Sequence, residues 1–305
     1  MTKTILITGA TGFLGTTLCC SLEKNGYHIL KLGKKPDNDI RVDLSGENIK
    51  LSIAGDIDYV VHAAGKAHIV PKSEAEAKEF YDVNFEGTQN LCNALMSLPV
   101  PPKSFIFIST VAVYGRDEGD LIAETHPLNG TTPYAKSKIL AEEWLQNWAK
   151  VNNIKLGILR LPLVAGPHPP GNLGAMIKGI RSRKYLSIGN AAARKSVVWA
   201  GDIAGIIPNL AITGGVFNLA DGCNPSFSEL EAHIAEALKV NKVRKIPFAM
   251  AKFIAMIGNL LGKSAPINTD KLKKLTSTLT FDDSRARKLL NWNPTPVLDK
   301  IPEMI

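Results

Sequence analysis

Apolar and polar positions alternate between two rhythms along this chain. Short apolar runs at Thr4–Ile7, Tyr27–Leu32, Tyr59–His62, Phe105–Ile108 and Lys155–Arg160 read as strands. Between them, helical spacing runs from Leu14, through Phe80–Met96, and from Tyr134 through Trp148. Strands alternating with helical patterns predict an α/β fold built on a doubly wound parallel sheet. After Arg160 the character changes: Pro162, Pro167, Pro169, Pro170 and Gly171 mark a loop-rich segment that leaves the sheet. The pattern predicts returns to it at Ser196–Ile203 and Val216–Leu219, then a helical region ending at Pro294 and Pro296. Residues 1–165 with about 196–222 are therefore expected to form the sheet domain. Residues 166–195 and 223–305 are expected to form a smaller, discontinuous lobe. There is no internal repeat or low-complexity tract.

Two motifs carry chemistry. In Thr8-Gly9-Ala10-Thr11-Gly12-Phe13-Leu14-Gly15, three glycines at spacing three follow the first strand and open the first helix. Gly9 permits a tight turn, Gly12 lets a phosphate approach, and Gly15 lets helix and strand pack closely, so bare N–H groups and the positive helix end meet a diphosphate. The second motif, Tyr134-Ala135-Lys136-Ser137-Lys138, lies 119 residues after Gly15, behind a Ser109-Thr110 pair that ends a strand-like run. Spacing of four puts Tyr134 and Lys138 on one helix face, and Pro133 suits a helix start. A phenol titrates near ~10 in water, so an ammonium and an oxidised nicotinamide ring are expected to favour the phenolate. Thr110 supplies a hydroxyl for a substrate oxygen. Together the motifs imply hydride transfer, with the sheet domain holding a dinucleotide and the lobe holding substrate.

With Asp43-Leu44, Val61-His62-Ala63-Ala64-Gly65, Asn84-Phe85-Glu86-Gly87-Thr88, Ser109-Thr110-Val111-Ala112-Val113-Tyr114-Gly115, Arg160-Leu161-Pro162-Leu163 and Asn291-Trp292-Asn293-Pro294, these segments span almost the whole chain. Jointly they resemble the extended short-chain dehydrogenase/reductases, in particular the NAD(P)-dependent nucleotide-sugar epimerases and reductases. The resemblance implies a catalytic triad of Thr110, Tyr134 and Lys138. It implies a cofactor groove lined by Gly9, Thr11, Gly12, Phe13, Leu14 and Gly15, with Asp43 and Leu44 flanking the adenine. Ala63, Ala64, Gly65 and Ser109 border that groove, Asn84 supports it, Tyr134 and Lys138 face it, and Pro162 and Leu163 lie near the nicotinamide. For substrate, the resemblance implies Lys66, Thr110, Asn172 and a basic residue at Arg194 or Lys195; His68 borders the same groove, with a structural hydrogen bond as an equal alternative. The family's dehydratases carry an Asp-Glu pair after the catalytic Thr, and Val111-Ala112 stands here instead, which argues against dehydration.

Cofactor choice rests on the tip of the second strand. NAD-specific folds place an acid there for the ribose 2′-hydroxyl. Counting eighteen on from Gly15, that position is Gly33, followed by Lys34 and Lys35. Two ammonium groups in place of a carboxylate favour NADP(H) over NAD(H), the alternative being that both lysines merely solvate a turn while Asp37 or Asp39 supplies the carboxylate. NADP(H) in turn tilts the expected reaction toward reduction of a 4-keto nucleotide sugar. The alternatives are a 4-epimerase with tightly held NAD and a non-catalytic dinucleotide sensor.

Composition adds limits. With 305 residues, 45% hydrophobic and 21% charged, the chain can bury a sizeable core. The net charge is +8, yet Lys and Arg recur along the chain without a nucleic-acid motif, so nucleic acid is not an expected partner. Cys19, Cys20, Cys92 and Cys223 show neither metal spacing nor a disulfide framework, and no metal is expected. Reduced thiols and the lack of a secretory pattern at the N-terminus suggest a cytoplasmic protein. Phe248–Leu261 is apolar apart from Lys252 and broken by Gly258 and Asn259, too short for the ~20 residues a span needs. A packed or partner-facing helix is favoured there over one lying on a membrane. Family members often pair through the helices after Asn84 and around Tyr134, so a homodimer is possible.

Overall fold

The computed structural model describes residues 2–46, 49–53, 55–67, 69–260 and 267–305. The predicted strands form as β1 (Thr4–Thr8), β2 (His28–Gly33), β4 (Tyr59–His62), β5 (Ser104–Thr110) and β7 (Lys155–Leu161), with a two-residue β3 (Ile40–Arg41) that the pattern does not reveal. The second lobe and the crossings to it add β6 (Gly119–Ile122), β8 (Leu163–Ala165), β9 (Leu186–Ile188), β10 (Val197–Trp199), β11 (Gly215–Asn218), β12 (Arg244–Ile246) and β13 (Leu279–Phe281). The helices flanking the sheet are α1 (Phe13–Lys24), α2 (Glu74–Tyr81), α3 (Gly87–Met96), α4 (Pro133–Val151) and, later in the chain, α6 (Ala200–Thr213). The lobe contributes α5 (Gly171–Arg181), α7 (Phe227–Ala237), α8 (Phe248–Leu260), α9 (Thr269–Thr276), α10 (Ser284–Leu290) and α11 (Ile301–Met304).

Seven parallel strands run in the order β3-β2-β1-β4-β5-β7-β11. This is the doubly wound topology, with its switch point between β1 and β4. Both faces are covered, which is why the strands read as continuous apolar runs. Ile5, Ile7, Val61, Ile106 and Leu159 pack under α1 and α6, while Leu6, Val60, Phe105, Phe107 and Ile158 meet Leu91, Leu95, Leu145 and Trp148 of α3 and α4. Trp144 stacks on Trp148 with centroids 6.0 Å apart, a packing role.

Three details differ from the pattern. The helix expected through Phe80–Met96 starts earlier, at Glu74 on the side-chain cap of Ser73, and a wide π-type turn over Asp82–Glu86 divides it. That turn seats Asn84 inside the protein, fully buried. The segment expected to rejoin the sheet at Ser196–Ile203 does not: Val197–Trp199 pairs only with β8, and Ala200 then begins α6. Only Gly215–Asn218 returns, at the β7 edge.

The lobe has its own core, in which Leu173, Ile177 and Ile180 of α5 meet Leu230 and Ile234 of α7 and Ile301 and Met304 of α11. At Asn291, φ is +55°, which ends α10 and turns Trp292 inward, where its Nε1 donates to the Ala220 carbonyl at 2.8 Å. The motif at Asn291–Pro294 thus ties the tail to the sheet. The inward face of α8 is its small one, Ala251 and Ala255 against Leu272, so the expectation of a packed apolar helix holds for only one side of it. No described helix is long and apolar enough to cross a membrane.

Candidate active site

The groove begins where β1 ends. Gly9 has φ +68°, and a Cβ there would stand 2.6 Å from the Ala64 nitrogen. At Gly15 a Cβ would overlap the Gly9 carbonyl, so α1 can leave over this turn only with glycine at both places. Gly12 donates to the Gly9 carbonyl at 2.9 Å and caps α1 with no side chain over the helix end and no acid in its first turn. Free N–H groups and the positive end of α1 therefore face the groove, which suits a diphosphate. Thr11, Phe13 and Leu14 border it half-buried, Phe13 lying against Gly166 just beyond β8.

Behind the turn runs a buried hydrogen-bond chain that sequence reasoning missed. Ala64 N–H donates to Thr8 Oγ1 at 3.1 Å, and Thr8 Oγ1 lies 2.6 Å from His62 Nδ1. On its other side His62 Nε2 meets Thr88 Oγ1 at 2.9 Å, and Thr88 spends its proton on the Asn84 carbonyl at 2.7 Å. A hydroxyl has one proton, so Nε2–H donates to Thr88 and Nδ1 accepts from Thr8. The imidazole is neutral, and burial, helped by Lys138, pushes its pKa down to about 3. Asn84 Nδ2 then donates to Ser137 Oγ at 3.0 Å and to the Lys66 carbonyl at 3.1 Å, while its Oδ1 accepts from Lys66 N–H at 2.7 Å. Ala63–Gly65 and the helix of the second motif are thus held by one buried chain. The signal for it was His62 immediately before Ala63-Ala64-Gly65.

Thr132 caps α4 by accepting from Ala135 N–H at 3.2 Å, with Pro133 opening the helix. The Tyr134 ring in the first turn then lies 6.1 Å from that of Phe80, and Lys138 one turn on is buried. Burial pushes the Tyr134 phenol above its ordinary value, and its hydrogen bond with Thr110, at the end of β5, offsets part of that. The expected pull of Lys138 is not among the effects on the phenol. Its ammonium instead donates to the Ile108 carbonyl at 2.9 Å and stands 4.3 Å from the Phe107 ring centre. Burial lowers Lys138 to about 8, with Glu142 opposing. The chain's own groups thus leave a neutral phenol beside a cation that loses its proton within the working range.

An amine is charged below its pKa and neutral above it, so Lys138, lowered to about 8, is an ammonium at pH 7 and an amine at pH 9. Gly65, at the groove, would place a Cβ 3.4 Å from its Nζ. Affinity for the dinucleotide, measured by fluorescence titration of NADPH, is expected to weaken through an apparent pKa near 8 as that charge disappears. The break should be absent in Lys138→Met.

Ser109, expected at the groove, is buried, and its hydroxyl donates to Glu142 Oε1 at 2.5 Å. Glu142, one turn beyond Lys138, is held by Arg160 of β7 through Nη2 at 2.7 Å and Nε at 3.1 Å. Arg160 also donates to Tyr114 OH at 3.1 Å and to the Glu124 carbonyl at 3.0 Å, and Tyr114 donates to Asn218 Oδ1 at 2.7 Å. This network braces the strand ends that carry Thr110, Pro162 and Leu163.

At the tip of β2, Gly33 lies against the Asn38 side chain. Lys34 pairs with Asp43 at 2.8 Å, and Asp39 accepts from Lys31 N–H at 2.8 Å, so neither is free as the sequence suggested. Lys35 is exposed. Asn90 pins the turn after β3 through the Leu44 and Gly46 carbonyls, both at 3.0 Å, and Leu44 is buried. Lys66 pairs with Glu79 over the Phe80 ring. His68 lies outside the described residues.

In the lobe, Asn172 is exposed in the first turn of α5. Arg194 donates to the Asn224 carbonyl at 3.0 Å and faces Glu229 at 3.6 Å, which commits it to the start of α7. Lys195 donates to the Lys274 carbonyl at 3.0 Å, and its half-buried ammonium is lowered by that burial. A cavity of about 600 Å³ nearby is lined by Tyr185, Ala193, Phe227, Glu231, Phe248 and Thr276 among others, none of which the sequence assigned to a site. Tyr185 donates to Glu231 across it at 3.0 Å. Among the described residues, no group of three His, Cys, Asp or Glu side chains converges on a metal position.

Known proteins are similar to this chain in sequence and in fold. A UDP-glucose 4-epimerase of Vibrio cholerae is 30% identical over 98% of this chain and 93% of its own. The N-acetyl-alpha-D-glucosaminyl-diphospho-ditrans,octacis-undecaprenol 4-epimerase of Escherichia coli O157:H7 is 28% identical over 93% of this chain and 89% of its own. The structure of RMD from Pseudomonas aeruginosa complexed with NADPH has the same fold, with a TM-score of 0.76 at 19% identity, covering 99% of this chain and 97% of that one. Residues 5–218, from the first strand of the glycine turn to the returning edge strand, match the family described as "NAD dependent epimerase/dehydratase family". The chain belongs to that family.

Proposed function

We propose that the protein is an NAD(P)-dependent oxidoreductase acting on a nucleotide-linked sugar, and that its reaction is reduction of a 4-keto sugar with Tyr134 as general acid. What supports this reading is the placement of the phenol: Tyr134 packs against Phe80 on the helix whose Lys138 lies against Gly65, and burial favours its protonated form with Thr110 as hydrogen-bond partner. A proton donor is what a ketone oxygen needs as it becomes an alcohol. Bound in the groove, the nicotinamide supplies the hydride. Gly9, Gly12 and the start of α1 hold the diphosphate, Thr110 orients the sugar oxygen, and Tyr134 delivers its proton there. Lys138 keeps positive charge beside the groove below pH 8. Lys195 and the cavity beside Phe227 would take the nucleotide half of the substrate, which makes the smaller lobe substrate-binding. Asp39 and Asp43 are both engaged near Gly33 while Lys35 is exposed there, which supports NADP(H) as the coenzyme, with exposed Asp37 as the carboxylate that would serve NAD(H) instead.

A second reading, 4-epimerisation with tightly held NAD, draws on the Vibrio cholerae relative and uses the same three side chains. One experiment separates them. NADPH oxidation with a panel of uridine- and thymidine-linked 4-keto sugars supports reduction. Interconversion of two sugars by dialysed protein without added coenzyme supports epimerisation instead.

A further inference from the structure

Helix α8 is built in reverse of an ordinary surface helix. It turns Ala251, Ala255 and Gly258 inward, onto Leu272 and the partly buried Ile188, Ile246 and Ile267. Met250, Phe253, Ile254 and Ile257, spaced i, i+3, i+4, i+7, face outward at 51%, 64%, 42% and 46% exposure. Four large apolar side chains on one stripe mark a face that meets something other than water.

The charge around it says what. Residues 239–274 hold nine Lys or Arg and one acid, Asp270, whereas the other 269 residues balance at 27 of each sign. The whole +8 of the chain thus resides in the segment that contains α8. Lys273 and Lys274 are paired, with Glu118 at 3.5 Å and Asp117 at 3.2 Å. Lys239, Lys242, Arg244, Lys245 and Lys252 are exposed and make no ion pair with any described residue. An apolar stripe in a segment that carries these five unpaired cations matches an anionic lipid surface, which offers acyl chains to the one and headgroup charge to the other. A second copy of the chain would bring the same excess charge against itself, and a nucleic acid would leave the Phe and Ile stripe in water.

We propose that α8 docks this protein on anionic phospholipid membranes, lying in the plane of the headgroups. At 13 residues it is too short to span a bilayer, which takes ~20. Phe248, in its first turn, lines the cavity of the lobe, so docking sets that cavity close to the membrane surface. The docking is independent of whether the enzyme reduces or epimerises.

The test is co-sedimentation of the full chain with vesicles of phosphatidylcholine alone and of phosphatidylcholine with phosphatidylglycerol. The protein is expected to pellet with the mixed vesicles, less so in high salt, and to remain in the supernatant with phosphatidylcholine. Phe253→Ser with Ile257→Ser should weaken that partition at least about tenfold. Lys242→Gln, Arg244→Gln and Lys245→Gln together should do so by a similar factor or more, about tenfold upward. Both variants should keep the wild-type melting temperature and NADPH affinity. Wild-type protein that ignores mixed vesicles overturns the proposal, as does a serine variant that pellets like wild type. Loss of a wild-type dimer in the serine variant, without vesicle binding by either, identifies α8 as a contact between copies and equally overturns it.

Discussion

Tyr134→Phe is expected to lower turnover by about 10²–10⁴-fold, the range a positioned proton donor contributes, while NADPH affinity stays within about twofold because the ring remains packed against Phe80. The variant deletes one oxygen. What it removes is the proton held at the groove mouth by burial and by Thr110. Steady-state kinetics and a fluorescence titration on the same preparation separate the two effects. Turnover that survives in the phenylalanine variant takes Tyr134 out of the mechanism, and joint loss of turnover and affinity makes its role structural.

The largest stability effect is expected at Glu142. Its carboxylate, fully buried, accepts from Arg160 Nη2 at 2.7 Å and from its Nε at 3.1 and 3.2 Å, and from Ser109 at 2.5 Å. Glu142→Ala leaves the Arg160 guanidinium buried without its counter-charge, which costs about 3–5 kcal/mol. For a chain of this size that is a fall in melting temperature on the order of 10 °C. Adding Arg160→Leu removes the stranded charge, so the double variant should melt above Glu142→Ala while staying below wild type, since Tyr114 and the Glu124 carbonyl lose a donor. Calorimetry of the four proteins measures the coupling directly. A Glu142→Ala protein as stable as wild type would show that the pair braces nothing.

The doubly wound sheet, the glycine turn and the Tyr-Lys helix are all readable from the chain because their causes are local. Strand runs declare themselves by neighbouring side chains, the turn by three residues lacking a Cβ, and the helix by Thr132, Pro133 and a spacing of four. What spacing cannot convey is where a side chain points once the chain is packed. Ser109 and Thr110 are adjacent in sequence, yet one turns under the sheet to Glu142 and the other to the Tyr134 phenol. Lys138 lies on the expected face of α4, and burial directs its proton to the Ile108 carbonyl. Lys34 is taken by Asp43, nine positions away in sequence and 2.8 Å away in space. His62, Glu142 and Arg160 acquire their meaning only from partners 18 to 54 residues distant, because a buried polar group is defined by what satisfies it. In α8 composition showed an apolar helix, and only packing decided that its small residues go in and its large ones face out.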